Sequence, residues 1–138
     1  MKSLPSHLKP RAQLRLPRVK HQATTIIAGK MDQPAGLMDV QVVSALHIRR
    51  AFKRPLGAAA WKKALLISWR ESRLIPNAVS VPNTNKTQDW GLFQLNDGGT
   101  LQYAGGAPGA SALVPRWNAK AAARIVSSVG WWPWKLNP

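Results

Sequence analysis

Apolar residues recur at helical spacing from about Leu37 onward. Val42, Ala45, Leu46 and Phe52 fall near one face of a segment that Asp39 could cap, which predicts a helix to about Phe52. A second helix is predicted from about Leu56 to Ile75. Ala58, Trp61, Ala64, Leu65, Ser68 and Ser72 form one stripe, while Lys62, Lys63, Arg70 and Arg73 gather on the far side. Pro76 ends it, because the residue before a proline disfavours helical backbone. Asn118 reads as the cap of a third helix, with Ala121, Ala122, Ile125, Val126 and Val129 inward and Gly130 closing it. Between the second and third helices the chain is polar and turn-rich. It predicts a short β-hairpin whose second arm passes through Asp89 to Leu92, then a turn at Asn96 to Gly99. Residues 101–115 are rich in Gly, Ala and Pro and read as loop. The pattern gives an α+β fold, mainly α.

Residues 1–36 break this pattern. Pro5, Pro10, Pro17 and Pro34 are spaced so as to interrupt helices, and the basic residues Lys2, Lys9, Arg11, Arg15, Arg18, Lys20 and Lys30 face one acid, Asp32. The expectation is a flexible, solvated basic tail ahead of a single domain at 37–138. The whole chain of 138 residues suits one domain, and its hydrophobic content of 45% is ample for a core. With no cysteine, neither disulfides nor thiolate metal sites can form. His7, His21 and His47 are scattered, so no metal site and no cofactor is expected. Met1-Lys2-Ser3-Leu4-Pro5 lacks the apolar stretch of a secretory signal.

Charge sharpens the picture. A net charge of +15 draws polyanions: nucleic acid, anionic lipid or the anionic polymers of bacterial envelopes. Against 20 Lys+Arg stand 5 acids, and Glu71 is the sole glutamate. Its helix neighbours three and four residues away are Ile67, Ser68, Leu74 and Ile75, none of them basic. That places Glu71 at the border of an apolar arc, where a carboxyl tends to hold its proton, as a general acid must.

Glu71-Ser72, Ala78-Val79-Ser80 and Gly91-Leu92-Phe93-Gln94-Leu95 together resemble the core signature of the lysozyme-like superfamily, which soluble lytic transglycosylases share. Asn83-Thr84 and Asp89-Trp90-Gly91-Leu92-Phe93-Gln94-Leu95-Asn96 are similar to the β-hairpin of animal-type lysozymes. Ala122 to Val126, followed by Trp131 and Trp134, looks like that family's later helix and two C-terminal tryptophans. The resemblance covers roughly residues 56–134. It lacks the family's cysteines, and the spacing from Glu71 to Asp89 is about one residue longer, which fits a phage or bacterial member better than an animal one. It implies a lysozyme-like fold with Glu71 as general acid, Trp131 packed against it, and Asp89 as an ionised second carboxylate. Retaining chemistry needs two such carboxyls about 5–5.5 Å apart.

Substrate contacts are expected from Asn83, Trp90, Gln94, Asn96, Tyr103, Trp131 and Trp132. Asn83 would orient Asp89, Gln94 and Asn96 would bond within the hairpin or to sugar, and the aromatics offer flat faces to sugar rings. Trp61 and Trp69 read as core, and Trp117 as packed near the third helix.

The implied activity is muramidase cleavage of the β-1,4 bond between N-acetylmuramic acid and N-acetylglucosamine in peptidoglycan. A lytic transglycosylase, with Glu71 acting alone and anhydro products, is the near alternative. A cationic envelope- or nucleic-acid-binding protein without catalysis is the second, and an inactive glycan-binding lysozyme fold the third. No specific nucleic-acid motif is present. Residues 1–36 are expected to touch anionic envelope polymers or a membrane surface, self-repulsion favours a monomer, and delivery as a released phage lysin or virion-borne enzyme is expected.

Overall fold

The computed structural model describes residues 11–29 and 36–135. Its helices are α1 (Arg11–Ala28), α2 (Asp39–Leu56), α3 (Ala58–Ser72), a single turn α4 (Thr100–Tyr103) and α5 (Pro115–Val129). One small antiparallel sheet pairs β1 (Asp89–Trp90) with β2 (Leu95–Asn96). The architecture is mainly helical, as the periodicity predicts. No helix among the described residues is long and apolar enough to cross a membrane.

Helix α2 is the hub, packing against α1, α3 and α5. Its buried Val42, Ala45, Leu46, Ile48, Ala51 and Phe52 meet Ala64, Leu65 and Ile67 of α3 and the alanine-rich face of α5 in one core cluster. Small residues on α5 let two helices approach closely, since interaxial distance follows the side chains at the contact. Trp61 and Trp69 are buried there as expected. Trp117 is half-buried, with its indole against Gly106.

The largest correction concerns the supposed tail. Residues 11–28 form a helix, and Val19, Ala23 and Ile27 are fully buried in the common core. Pro17 lies inside the helix but removes only one donor. From Val19 on, Ala23, Ile26 and Ile27 recur at four, seven and eight residues, the spacing of a core-facing stripe. The domain therefore includes α1, and its boundary at residue 37 is wrong. The expectation for residues 1–10 and 30–35 lies outside the described residues.

Element ends also shift for identifiable reasons. Asp39 is the first helical residue of α2, not its cap. Met38 flanks it, and its N–H donates to Gln41 Oε1 (2.7 Å), while Gln41 Nε2 donates to the Arg73 carbonyl (3.0 Å). Pro55 closes α2, and Gly57 at φ 97° turns the chain into α3, which starts at Ala58. Arg73 (φ 54°) and Leu74 (φ 59°) adopt left-handed backbone and stop α3 at Ser72, short of Ile75. Pro115 takes the first turn of α5, so Asn118 lies inside the helix and is not its cap. The stretch expected to be loop contains α4 and a 3₁₀ turn at Ala110–Leu113.

The hairpin is shorter and differently paired than predicted. Asp89 pairs with Asn96 and Trp90 with Leu95, so β1 is the first arm of the sheet. On its other side Trp90 bridges Val79, with Ser80 N–H to the Asp89 carbonyl at 3.0 Å and Gly91 N–H to the Ala78 carbonyl at 2.8 Å. Leu92 and Phe93 leave the strand and enter the core.

Candidate active site

The last turn of α3 points two adjacent residues different ways. Ser72 turns inward: its hydroxyl lies 2.8 Å from the Leu92 carbonyl and 3.1 Å from the Ser68 carbonyl, and Ser68 Oγ donates to the same Leu92 oxygen at 3.0 Å. Glu71 turns outward into a cleft of about 660 Å³. The opposite wall of that cleft comes from the hairpin through Asp89, Gln94 and Asn96, and its end from Trp132, Pro133, Trp134 and Lys135.

The turn at Gly91–Gln94 holds the two walls in place. Asn118, fully buried on α5, accepts from Phe93 N–H (2.9 Å) and donates from Nδ2 to the carbonyls of Trp90 and Ala112 (2.9 Å each). Gly91 sits at φ 77°, and an added Cβ would overlap Asn118 Nδ2 and lie 2.8 Å from the Ala112 oxygen. Only glycine satisfies both demands at this position. Trp134 completes the clamp, its Nε1 donating to the Phe93 carbonyl at 2.9 Å and its ring meeting Phe93 edge-on at 5.9 Å.

Asp89 is held by amides. Asn96 Nδ2 donates to Oδ1 at 2.9 Å and Asn83 Nδ2 to Oδ2 at 3.4 Å, while Thr87 Oγ1 ties both asparagines together. Asn83 thus reaches Asp89 through a long, exposed hydrogen bond. Gln94, in left-handed backbone at φ 51°, spends its amide inside the fold, on the carbonyls of Ala78 (3.1 Å) and Gly91 (3.0 Å).

Glu71 departs from expectation. It faces no apolar pocket but a guanidinium: Arg70 Nη2 lies 2.7 Å and Nε 3.3 Å from Oε1. The same Nη2 donates to the Trp134 carbonyl at 2.9 Å. Neighbours three and four residues away do not reveal this contact, because the partner is the preceding residue, whose long side chain folds back.

No protein-family model matches the chain, and neither do curated proteins or solved structures.

The aromatic expectations divide. Trp132 is 66% exposed and lines the cleft. Trp131 is not beside Glu71: it stacks on Phe52 at 5.7 Å, with Lys63 Nζ over its ring at 5.1 Å. Consecutive residues entering the 3₁₀ turn at Trp132–Trp134 point in different directions, so only one of the pair reaches the cleft. Trp90 packs on the core and gives its Nε1 to Asp97 Oδ2 (3.2 Å), and Tyr103 is exposed; neither lines the cleft. Arg70, Trp134 and Lys135 do line it and were not among the expected contacts. Trp134 alone carried a signal, as one of the tryptophans in the motif comparison.

Chemically, the cleft brings two of the chain's five acids to one opening. One carboxylate is paired with a cation and the other with two neutral amides. An exposed indole beside them suits a ring with an apolar face.

Proposed function

We propose that the chain cleaves peptidoglycan glycan strands as a lysozyme-like muramidase, hydrolysing the β-1,4 bond between N-acetylmuramic acid and N-acetylglucosamine. One observation carries this reading. Glu71 and Asp89, set in different surroundings, line the same cleft as the exposed Trp132 indole. Glycoside hydrolysis asks for such a division of labour between two carboxyl groups. The similarity of the Glu71-Ser72 and Asp89 to Asn96 segments to the lysozyme-like superfamily supports it further.

In this mechanism Glu71 donates a proton to the glycosidic oxygen as its bond to the sugar carbon breaks, Asp89 stabilises the positive charge that develops at that carbon, and water then adds there and returns a proton to Glu71. Oε1 of Glu71 is engaged by Arg70, whereas Oε2 takes no protein partner among the described residues and is the oxygen open to the substrate. Asn83 and Asn96 fix Asp89 against rotation and leave its charge unneutralised. Trp132 stacks on a sugar ring. A grip on anionic envelope polymers accords with the net charge of +15.

The test is digestion of purified peptidoglycan by the wild type, Glu71→Gln and Asp89→Asn, with released fragments weighed by mass spectrometry. Reducing-end muramic products are expected. Loss of a general acid costs about 10²–10⁴-fold, so Glu71→Gln should fall by that factor. Anhydro products with Asp89→Asn near normal would replace hydrolysis by transglycosylation. No fragments from the wild type would overturn the reading.

A further inference from the structure

The cleft that holds the two acids also holds two cations, Arg70 and Lys135. Arg70 is unusually well fixed for a side chain 42% exposed. Nε and Nη2 reach Glu71 Oε1 and Nη2 also reaches the Trp134 carbonyl, which anchors the guanidinium in the lining of the cleft. Among the described residues, nothing accepts from its Nη1. A guanidinium anchored on one edge presents its remaining N–H donors in a rigid geometry that suits a planar oxyanion. Lys135 follows directly on Trp134, in left-handed backbone at φ 58°, and forms no ion pair among the described residues. Glu71 pairs with Arg70 only on its anchored edge, which leaves the Nη1 side for a second acceptor, and Asp89 is held on the hairpin by Asn83 and Asn96, not by Lys135. A neutral polysaccharide offers these donors hydroxyl and acetamido oxygens but no charge, so its bonds to them are the weaker ones.

We propose that Arg70 and Lys135 form a carboxylate-recognition subsite at the Trp134 end of the cleft, which makes the enzyme selective for glycan strands whose sugars carry carboxylates over neutral ones. The inference rests on the glycan-cleavage reading and names the feature of the substrate that the site selects. Two sources share the chemistry: the lactyl carboxylate of a muramic residue stripped of peptide, and a carboxylate of the attached peptide.

The test uses the full chain and three soluble strands of equal length: peptide-free, peptide-free with the lactyl carboxyls converted to primary amides, and peptide-bearing. Binding is read by calorimetry and cleavage by released reducing ends. The wild type should bind the charged peptide-free strand about tenfold more tightly than its amidated form, as expected for one or two charge-assisted bonds. Lys135→Gln, at a residue with no contact to Glu71 among the described residues, should lose most of that preference. Arg70→Gln should lose it too. A preference seen only with peptide-bearing strands would assign the subsite to the peptide carboxylate. Equal binding of all three strands overturns the subsite while leaving cleavage intact. Selective binding without cleavage overturns the enzymatic reading and keeps the subsite. No binding to any strand overturns both.

Discussion

Replacing Asn118 by alanine tests whether the site is built as described. The side chain is fully buried and makes three hydrogen bonds of 2.9 Å, one accepted from Phe93 N–H and two donated to the carbonyls of Trp90 and Ala112. Alanine leaves the buried Phe93 N–H without a partner, at about 1–3 kcal/mol, and each carbonyl loses a bond worth about 1 kcal/mol. The expected loss is about 3–5 kcal/mol, a large share of the ~5–15 kcal/mol that holds a domain together. Urea unfolding, followed by tryptophan fluorescence and by far-ultraviolet circular dichroism, measures it. Ser128→Ala, at an exposed position on the same helix, is the control and should stay within about 0.5 kcal/mol. A loss below about 1 kcal/mol for Asn118→Ala would refute the clamp, because it would mean that water or a small backbone shift replaces all three bonds.

Gly91→Ala should cost at least about 2 kcal/mol in the same assay, through left-handed strain and overlap with Asn118, and a neutral result would contradict the geometry of the turn. Ser72→Ala removes a buried hydroxyl from the Leu92 carbonyl and should cost about 1–2 kcal/mol while leaving Glu71 in the cleft; an unchanged urea midpoint would show the bond to be dispensable. Val19→Asp buries a charge in the core and should unfold the domain at ambient temperature, whereas a tail position would tolerate it; circular dichroism decides. Burial, followed by the nearby Arg50 and Arg116 charges, lowers the His47 pKa below its ordinary 6.5. The unfolded chain then binds a proton before the folded one does, so stability should hold above about pH 6.5 and decline as pH falls below it. Urea midpoints from pH 7.5 to 5 should show a shallower decline in His47→Gln, and parallel curves would exclude His47 as a cause.

The three helices from 37 onward were legible because their apolar stripes are long and regular. The first helix was not, because its prolines carried more weight than the Val19, Ala23 and Ile27 stripe, although Pro17 lies ahead of that stripe and does not interrupt it. Asn118 misled in a different way. Asparagine favours helix caps for the same reason that it serves here, namely a short side chain that both donates and accepts, and only the third dimension shows which backbone it serves. Motif similarity pointed to Glu71 and Asp89, and Trp132 was expected only as one of several flat aromatic faces; all three line the cleft. The roles of Trp131 and Tyr103 failed because adjacent aromatics are indistinguishable in sequence until the turn that splays them is known. Arg70 was missed because residues one apart on a helix do not normally face each other, a rule that long side chains at a helix end escape.

The turn from Gly91 to Gln94 belongs to no regular element, yet α3 holds it through Ser68 and Ser72, α5 through Asn118, and the C-terminal 3₁₀ turn through Trp134. Loops usually open locally, at little free energy, and exchange their amide hydrogens quickly. Here the Phe93 amide cannot reach solvent unless α5 withdraws. Its hydrogen exchange should therefore track the global unfolding of the domain, and the cleft between Glu71 and Asp89 should be among the last parts of the molecule to loosen as it is heated.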